Sequence, residues 1–149
     1  MRRKLFACLI LIVAAAVYAR PSAYNTNAPQ DLSPGVVINV WNAETPTPGT
    51  GTTAASQQVA LFCSANGTCP FGVDGKFSGA PGAFEVDVQV AATDSDTNYQ
   101  TVVNGNITTV DSTNNTFHFD GTLVAGKYGR LLLRTRTNSV SITATFTGG

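Results

Sequence analysis

Phe84-Glu85-Val86-Asp87-Val88-Gln89-Val90 alternates apolar and polar side chains without a break, so that Phe84, Val86, Val88 and Val90 share one face and Glu85, Asp87 and Gln89 the other. A period of two fits a half-buried strand and no helix, whose faces repeat every 3.6 residues. The alternation returns near the C-terminal end, with Val140, Ile142, Ala144 and Phe146 inward and Ser139, Ser141, Thr143 and Thr145 outward. Between these two stretches, residues 99–103, 107–110, 116–123 and 128–137 read as strands, separated by turns at Asn104-Gly105, Ser112 to Asn115 and Ala125-Gly126. Upstream, residues 36–41 follow the turn signal Pro34-Gly35, and residues 58–63 and 72–77 complete the set. The pattern predicts an all-β chain, a jelly-roll-like antiparallel β-sandwich of about eight strands. An immunoglobulin-type domain is not expected, because Trp41 precedes both later cysteines and these lie close together.

The chain opens with Arg2, Arg3 and Lys4, an apolar run from Leu5 to Val17 and a small residue at Ala19. This is the pattern of a signal peptide over residues 1–19, too short in its apolar part for a comfortable membrane span. Its removal leaves about 130 residues, enough for one domain core. Residues 20–34 lack periodicity and are expected to form a flexible leader, with a single β-sandwich domain over 35–149 and a long Thr/Pro/Gly-rich loop at 45–56. The predicted location is secreted, extracellular or periplasmic. Three of the nine basic residues fall in the signal, so the remaining chain is mildly acidic, which argues against nucleic acid as a partner.

Cys63 and Cys69 are the two cysteines beyond the signal, and an exported pair of this kind is expected to be oxidised. The intervening Ser64-Ala65-Asn66-Gly67-Thr68 suits a tight hairpin with Gly67 in the left-handed region, which sets Cys63 opposite Cys69. Asp94, Asp96 and Asn98 carry oxygen side chains at alternate positions, as Ca²⁺ loops do, against the simpler reading of a solvated turn. No EF-hand follows, because Tyr99 and Gly105 stand where the loop glycine and the closing Glu belong; Asp111 or Asp120 would have to close such a site. No other cofactor is expected. His118 should face away from the core between Phe117 and Phe119, but no nucleophile can be assigned to it from sequence, and Glu85 and Asp87 read as solvated charges.

Arg134 and Arg136 are expected to share a strand face with Tyr128, offering a shallow site for anionic sugars or an acidic partner, or merely a solvated face. Trp41, placed on one face with Val37 and Asn39, is a sugar-stacking platform if exposed and a core anchor if buried.

The stretch from Val73 to Val90, followed by Ala91-Ala-Thr-Asp-Ser-Asp96, resembles small uncharacterised β-sandwich proteins found in bacterial and phage-like sequences. The ending Lys127 to Ala144 is similar to the last hairpin of the same group and, more loosely, to that of jelly-roll carbohydrate-binding modules. The likeness covers about the C-terminal half, and it implies a structural or binding role without catalysis. The expected function is thus an exported, non-enzymatic structural or adhesive surface module. The alternatives are a carbohydrate-binding module using exposed aromatics and a phage-like virion surface protein. Cell-surface glycan, protein and a second copy of the chain are the partners considered.

Overall fold

A computed structural model describes residues 28–48, 54–65, 67–124 and 127–149. The predicted signal peptide, most of the predicted leader and the middle of the 45–56 loop lie outside the described residues. Among the described residues nine strands form: β1 (Gln30–Leu32), β2 (Val37–Glu44), β3 (Val59–Leu61), β4 (Thr68–Phe77), β5 (Phe84–Ala91), β6 (Gln100–Ile107), β7 (Thr116–Val124), β8 (Tyr128–Arg136) and β9 (Ile142–Gly148). They build two sheets, β1-β3-β8-β5-β6 and β2-β9-β4-β7.

The pairings show how the chain is wound. β5 pairs with β6, β4 with β7, β3 with β8 and β2 with β9, all antiparallel, and these pairs alternate between the sheets. A long ribbon folded at β5–β6 and wrapped on itself gives this order, which is the jelly-roll arrangement. The inward faces meet in one core containing Ile38, Val73, Phe77, Val86, Val88, Leu131, Leu133, Ile142 and Phe146. Phenylalanines dominate both ends of it. Phe71 packs near Phe119 and Phe146 at one end, and Phe77, Phe84 and Phe117 form a cluster at the other.

Two glycines explain how those rings fit between β4 and β7. Gly75 is paired with Phe117, and Gly121 with Phe71. A Cβ on Gly75 would lie 2.0 Å from the Phe117 ring, and one on Gly121 2.6 Å from the Phe71 ring. Each glycine therefore leaves the space that its cross-strand phenylalanine fills.

Several expectations are corrected. The leader does not extend to residue 34: Gln30–Leu32 run parallel to Val59–Leu61, and Leu32 is buried at 1% exposure. The apolar Leu32 repays the ordering of that short strand. The loop at 45–56 ends early, because Ala54 to Ser56 line up along β8 through Leu133 N to Ala54 O at 2.9 Å and Ser56 N to Leu131 O at 2.9 Å. The turn expected at Asn104-Gly105 lies within one strand, β6, as a bulge: between the pairs Asp87↔Asn106 and Gln89↔Thr101, β5 has only Val88 whereas β6 has residues 102–105. Asn104 takes a φ of 60° there, in the left-handed region that asparagine tolerates.

The hairpin carrying Cys63 and Cys69 forms as expected. Gly67 has a φ of 80°, Ser64 N donates to Thr68 O at 2.8 Å, and the two sulfurs are bonded.

Candidate functional site

The residues expected to bind ligand do not converge. Trp41 is completely buried, which removes it as a sugar platform. The cause is a bulge in β2: Asn39 pairs with Thr145 and Trp41 with Ala144, so Val40 is an extra residue and the alternation shifts. Val37 and Asn39 stay exposed while Val40 and Trp41 both turn inward.

A second bulge separates the two arginines. Glu85 pairs with Thr135 and Val86 with Leu133, leaving Arg134 as the extra residue of β8. Arg134 Nε donates to Asp87 Oδ2 at 2.7 Å on the outer face of the five-stranded sheet. Arg136, opposite Phe84, instead donates to the carbonyls of Val140 and Pro46, tying the β8–β9 and post-β2 segments together. Arg134 and Arg136 therefore do not form one anion site with the half-buried Tyr128.

Glu85 and Asp87 are also structural. Asp87 accepts from Thr101 Oγ1 at 3.0 Å and Asn106 Nδ2 at 2.8 Å as well as from Arg134, and Asn106 also reaches Glu85 at 2.7 Å. Alongside them Arg130, buried, donates to Gln89 at 2.9 Å and Asp96 at 2.8 Å and lies 4.1 Å over the Tyr99 ring. Buried charges of this kind persist because each has a counter-charge or a hydrogen bond.

That arrangement uses the carboxylates proposed for calcium. Asp94 accepts from Tyr99 OH at 2.9 Å, Asp96 is bonded to Arg130, and Asn98 ends a short 3-10 turn over Asp96–Asn98. Asp111 accepts from Thr113 N at 2.9 Å and Asn114 Nδ2 at 2.8 Å, which hold its carboxyl below the usual aspartate value. Among the described residues no group of three or more His, Cys, Asp or Glu is disposed to hold a metal ion.

What the fold does assemble lies at the free edges of β6 and β7. The two sheets part there around a cleft of about 430 Å³, lined by Phe71, Val90, Val102, Phe119 and Gly121 and rimmed by Gln100, Thr101, Asn104, Asp120 and Thr122. The β6 bulge forms one wall and raises Val103, 87% exposed, at its lip. Gly121 shapes the other side: any side chain there would meet the rings of Phe71 and Phe119. The volume and the pairing of apolar floor with polar rim are those of small-ligand sites.

Beside the cleft, on the outer face of the four-stranded sheet, a shallower hollow runs over Gly72, Asp74, His118 and Thr147 and shares Phe71 and residues 120–122 with it. His118 stands between two carboxylates, with Nδ1 2.7 Å from Asp74 Oδ1 and Nε2 2.9 Å from Asp120 Oδ2. Only the imidazolium can donate from both nitrogens. The hydrogen bonds to Asp120 and then Asp74 accordingly raise His118 above its ordinary value of 6.5. Asp120 thus belongs to both the clamp and the rim of the cleft.

Sequence reasoning placed His118 outward but missed the cleft, which needs residues from two strands in different sheets. Its visible signals were Gly121 between Phe119 and Leu123, and Asn104-Gly105 after a Val-Val pair. No family model and no curated protein matches the chain.

Proposed function

We propose that this chain is an exported, non-enzymatic surface module that acts by adhesion, with the β6–β7 cleft as its contact site. The cleft carries the reading: it is a preformed concavity with an apolar floor, and it opens where neither sheet covers it. The absence of catalysis is supported by His118. Both its nitrogens face carboxylates at hydrogen-bond distance, so it is engaged in a clamp and not set against a nucleophile. The other charged groups with catalytic chemistry, Asp87, Arg130 and Arg134, hold the sheet together.

Export is supported by the signal pattern at residues 1–19 and by the Cys63–Cys69 bond, which suits an oxidising compartment. Among the described residues no helix is long and apolar enough to cross a membrane. The jelly-roll wrap serves lectin and capsid modules alike, so the fold supports the carbohydrate-binding and virion readings equally. The apolar-floored cleft favours the former.

Microspheres coated with the purified protein, tested for retention under flow on glycan-coated and protein-coated surfaces, check the reading. Thr122→Arg places a long charged side chain at the mouth of the cleft from an exposed position. Retention should fall for this variant at an unchanged melting temperature. Equal retention removes the cleft as the contact site.

A further inference from the structure

We infer that the cleft between β6 and β7 takes a neutral hexopyranose ring, with Asp120, positioned by His118, accepting from its hydroxyls. The inference rests on the cleft being the contact site and adds its ligand class. A pyranose has an apolar C–H face and a polar perimeter, and the cleft has the complementary layout. Val90, Val102 and Phe119, each half-buried, make the floor over the buried Phe71, and Gly121 adds no side chain of its own. Around it stand amide, hydroxyl and carboxylate groups at Gln100, Asn104, Thr122 and Asp120. Such groups can each donate to or accept from a sugar hydroxyl.

Competing ligands fit less well. Among the described residues of the rim the one acidic or basic side chain is that of Asp120, and a carboxylate there disfavours uronic acids, phosphates and acidic peptides. An extended peptide adding to β6 would meet an edge that is broken at residues 102–105. A lipid chain would leave the rim amides facing hydrocarbon.

His118 is a positioning residue here. It binds Asp120 Oδ2 on the outer face of the four-stranded sheet, while Oδ1 lies over Gly72, where the hollow borders the cleft. The charged groups facing His118 are Asp74 and Lys76 on β4 and Asp120 on its own strand; β9 offers only Thr143, Thr145 and Thr147 to that face. When His118 loses its proton it keeps one N–H, so one of the two carboxylates loses its donor and Asp120 is no longer held as before.

The test is NMR with methyl glycosides of glucose, galactose, mannose and N-acetylglucosamine as probes, and methyl glucuronide as the anionic comparison. Saturation transfer to at least one neutral glycoside, with amide shifts at Val102, Val103, Gly121 and Thr122, is the expected result. Thr122→Arg and Val103→Arg, both at exposed positions, should abolish those shifts. His118→Asn should weaken binding about tenfold, as for one misplaced hydrogen bond, and should flatten a pH profile that in the unmodified protein falls as His118 deprotonates. Shifts mapping elsewhere, equal binding of the glucuronide, or no glycoside response at millimolar probe overturns the sugar assignment. If the glycosides fail while Thr122→Arg still lowers retention under flow, the cleft remains the contact site with another occupant; if both fail, the proposed function falls with the inference.

Discussion

Asp87 and Arg134 join β5 to β8 through an ion pair in which only one partner is out of water: the Asp87 side chain is 4% exposed and that of Arg134 46%. The asymmetry sets an order of energetic cost. Removing the arginine leaves Asp87 with Thr101 and Asn106 still donating, whereas removing the aspartate strips a partner from all three groups. Urea unfolding should show Asp87→Ala destabilised by about 2 to 4 kcal/mol and Arg134→Ala by about 1 to 2 kcal/mol. The reverse order would mean that the buried carboxylate is held by something other than this set.

Trp41, the single tryptophan of the chain, reports on the core. Its emission should be blue-shifted and resistant to iodide quenching in the native protein, and should move red in a single step on unfolding. Trp41→Ala should cost about 3 to 5 kcal/mol, against less than about 0.5 kcal/mol for Val103→Ala at the lip of the cleft. A red-shifted, readily quenched native spectrum would contradict the bulge that turns Trp41 inward.

His118 makes stability depend on pH in a defined direction. Its folded-state value lies above its unfolded value of about 6.5, so the folded state binds the proton more tightly. The stabilisation is fully present below pH about 6.5 and is lost as pH rises through the folded-state value. Ring-proton NMR should place the titration of His118 above that of a free histidine, and the melting temperature should decline across that window in the unmodified protein but not in His118→Asn. A titration at or below the ordinary value would mean that the double clamp does not form.

Opening the Cys63–Cys69 bond by reduction should lower stability by about 2 kcal/mol, the loop-entropy value for so short a ring. Intact-mass analysis after alkylation should find no free thiol before reductant is added. Alkylation of both cysteines without reductant would refute the bond.

Truncation separates the two ends. Removing residues up to 27 leaves every described strand whole and should keep cooperative unfolding. Removing residues up to 33 also deletes Leu32, at about 1.5 to 3 kcal/mol for a buried leucine. Ending the chain before Val140 removes β9, which holds β2 on one side and β4 on the other, and should abolish cooperative unfolding by circular dichroism. Loss of cooperativity in the first truncation instead would show that earlier residues belong to the core.

The architecture was legible because Phe84 to Val90 and Val140 to Phe146 alternate cleanly, and alternation needs no knowledge of the neighbouring strand. Trp41 and Arg136 were misplaced for one common reason. A bulge inserts a residue into one member of a pair, so the face on which a side chain emerges depends on how many residues the partner spends over the same length. Nothing in Asn39-Val40-Trp41 or Arg134-Thr135-Arg136 states that count. Leu32 was missed because a three-residue strand is too short to show a period. The cleft is a relation between Val102 and Phe119, whose strands belong to different sheets, and its depth is decided by a missing side chain at Gly121.

The pairing of β2 with β9 sets a timetable for the molecule as it is made. The first long strand waits for the last one, and β4, which can pair with β7 earlier, lacks its second neighbour until residue 142 has been synthesised. Until then the four-stranded sheet has only its β4–β7 half, and Ile38, Trp41 and Val73 have no Phe146 to close over them. Such long-range closure is slow and comes late. A chain threaded N-terminus first through a narrow conduit would therefore stay pliable for much of its passage and stiffen only on the far side, with local fold-backs such as the Cys63–Cys69 ring and the β5–β6 pair able to form ahead of the rest.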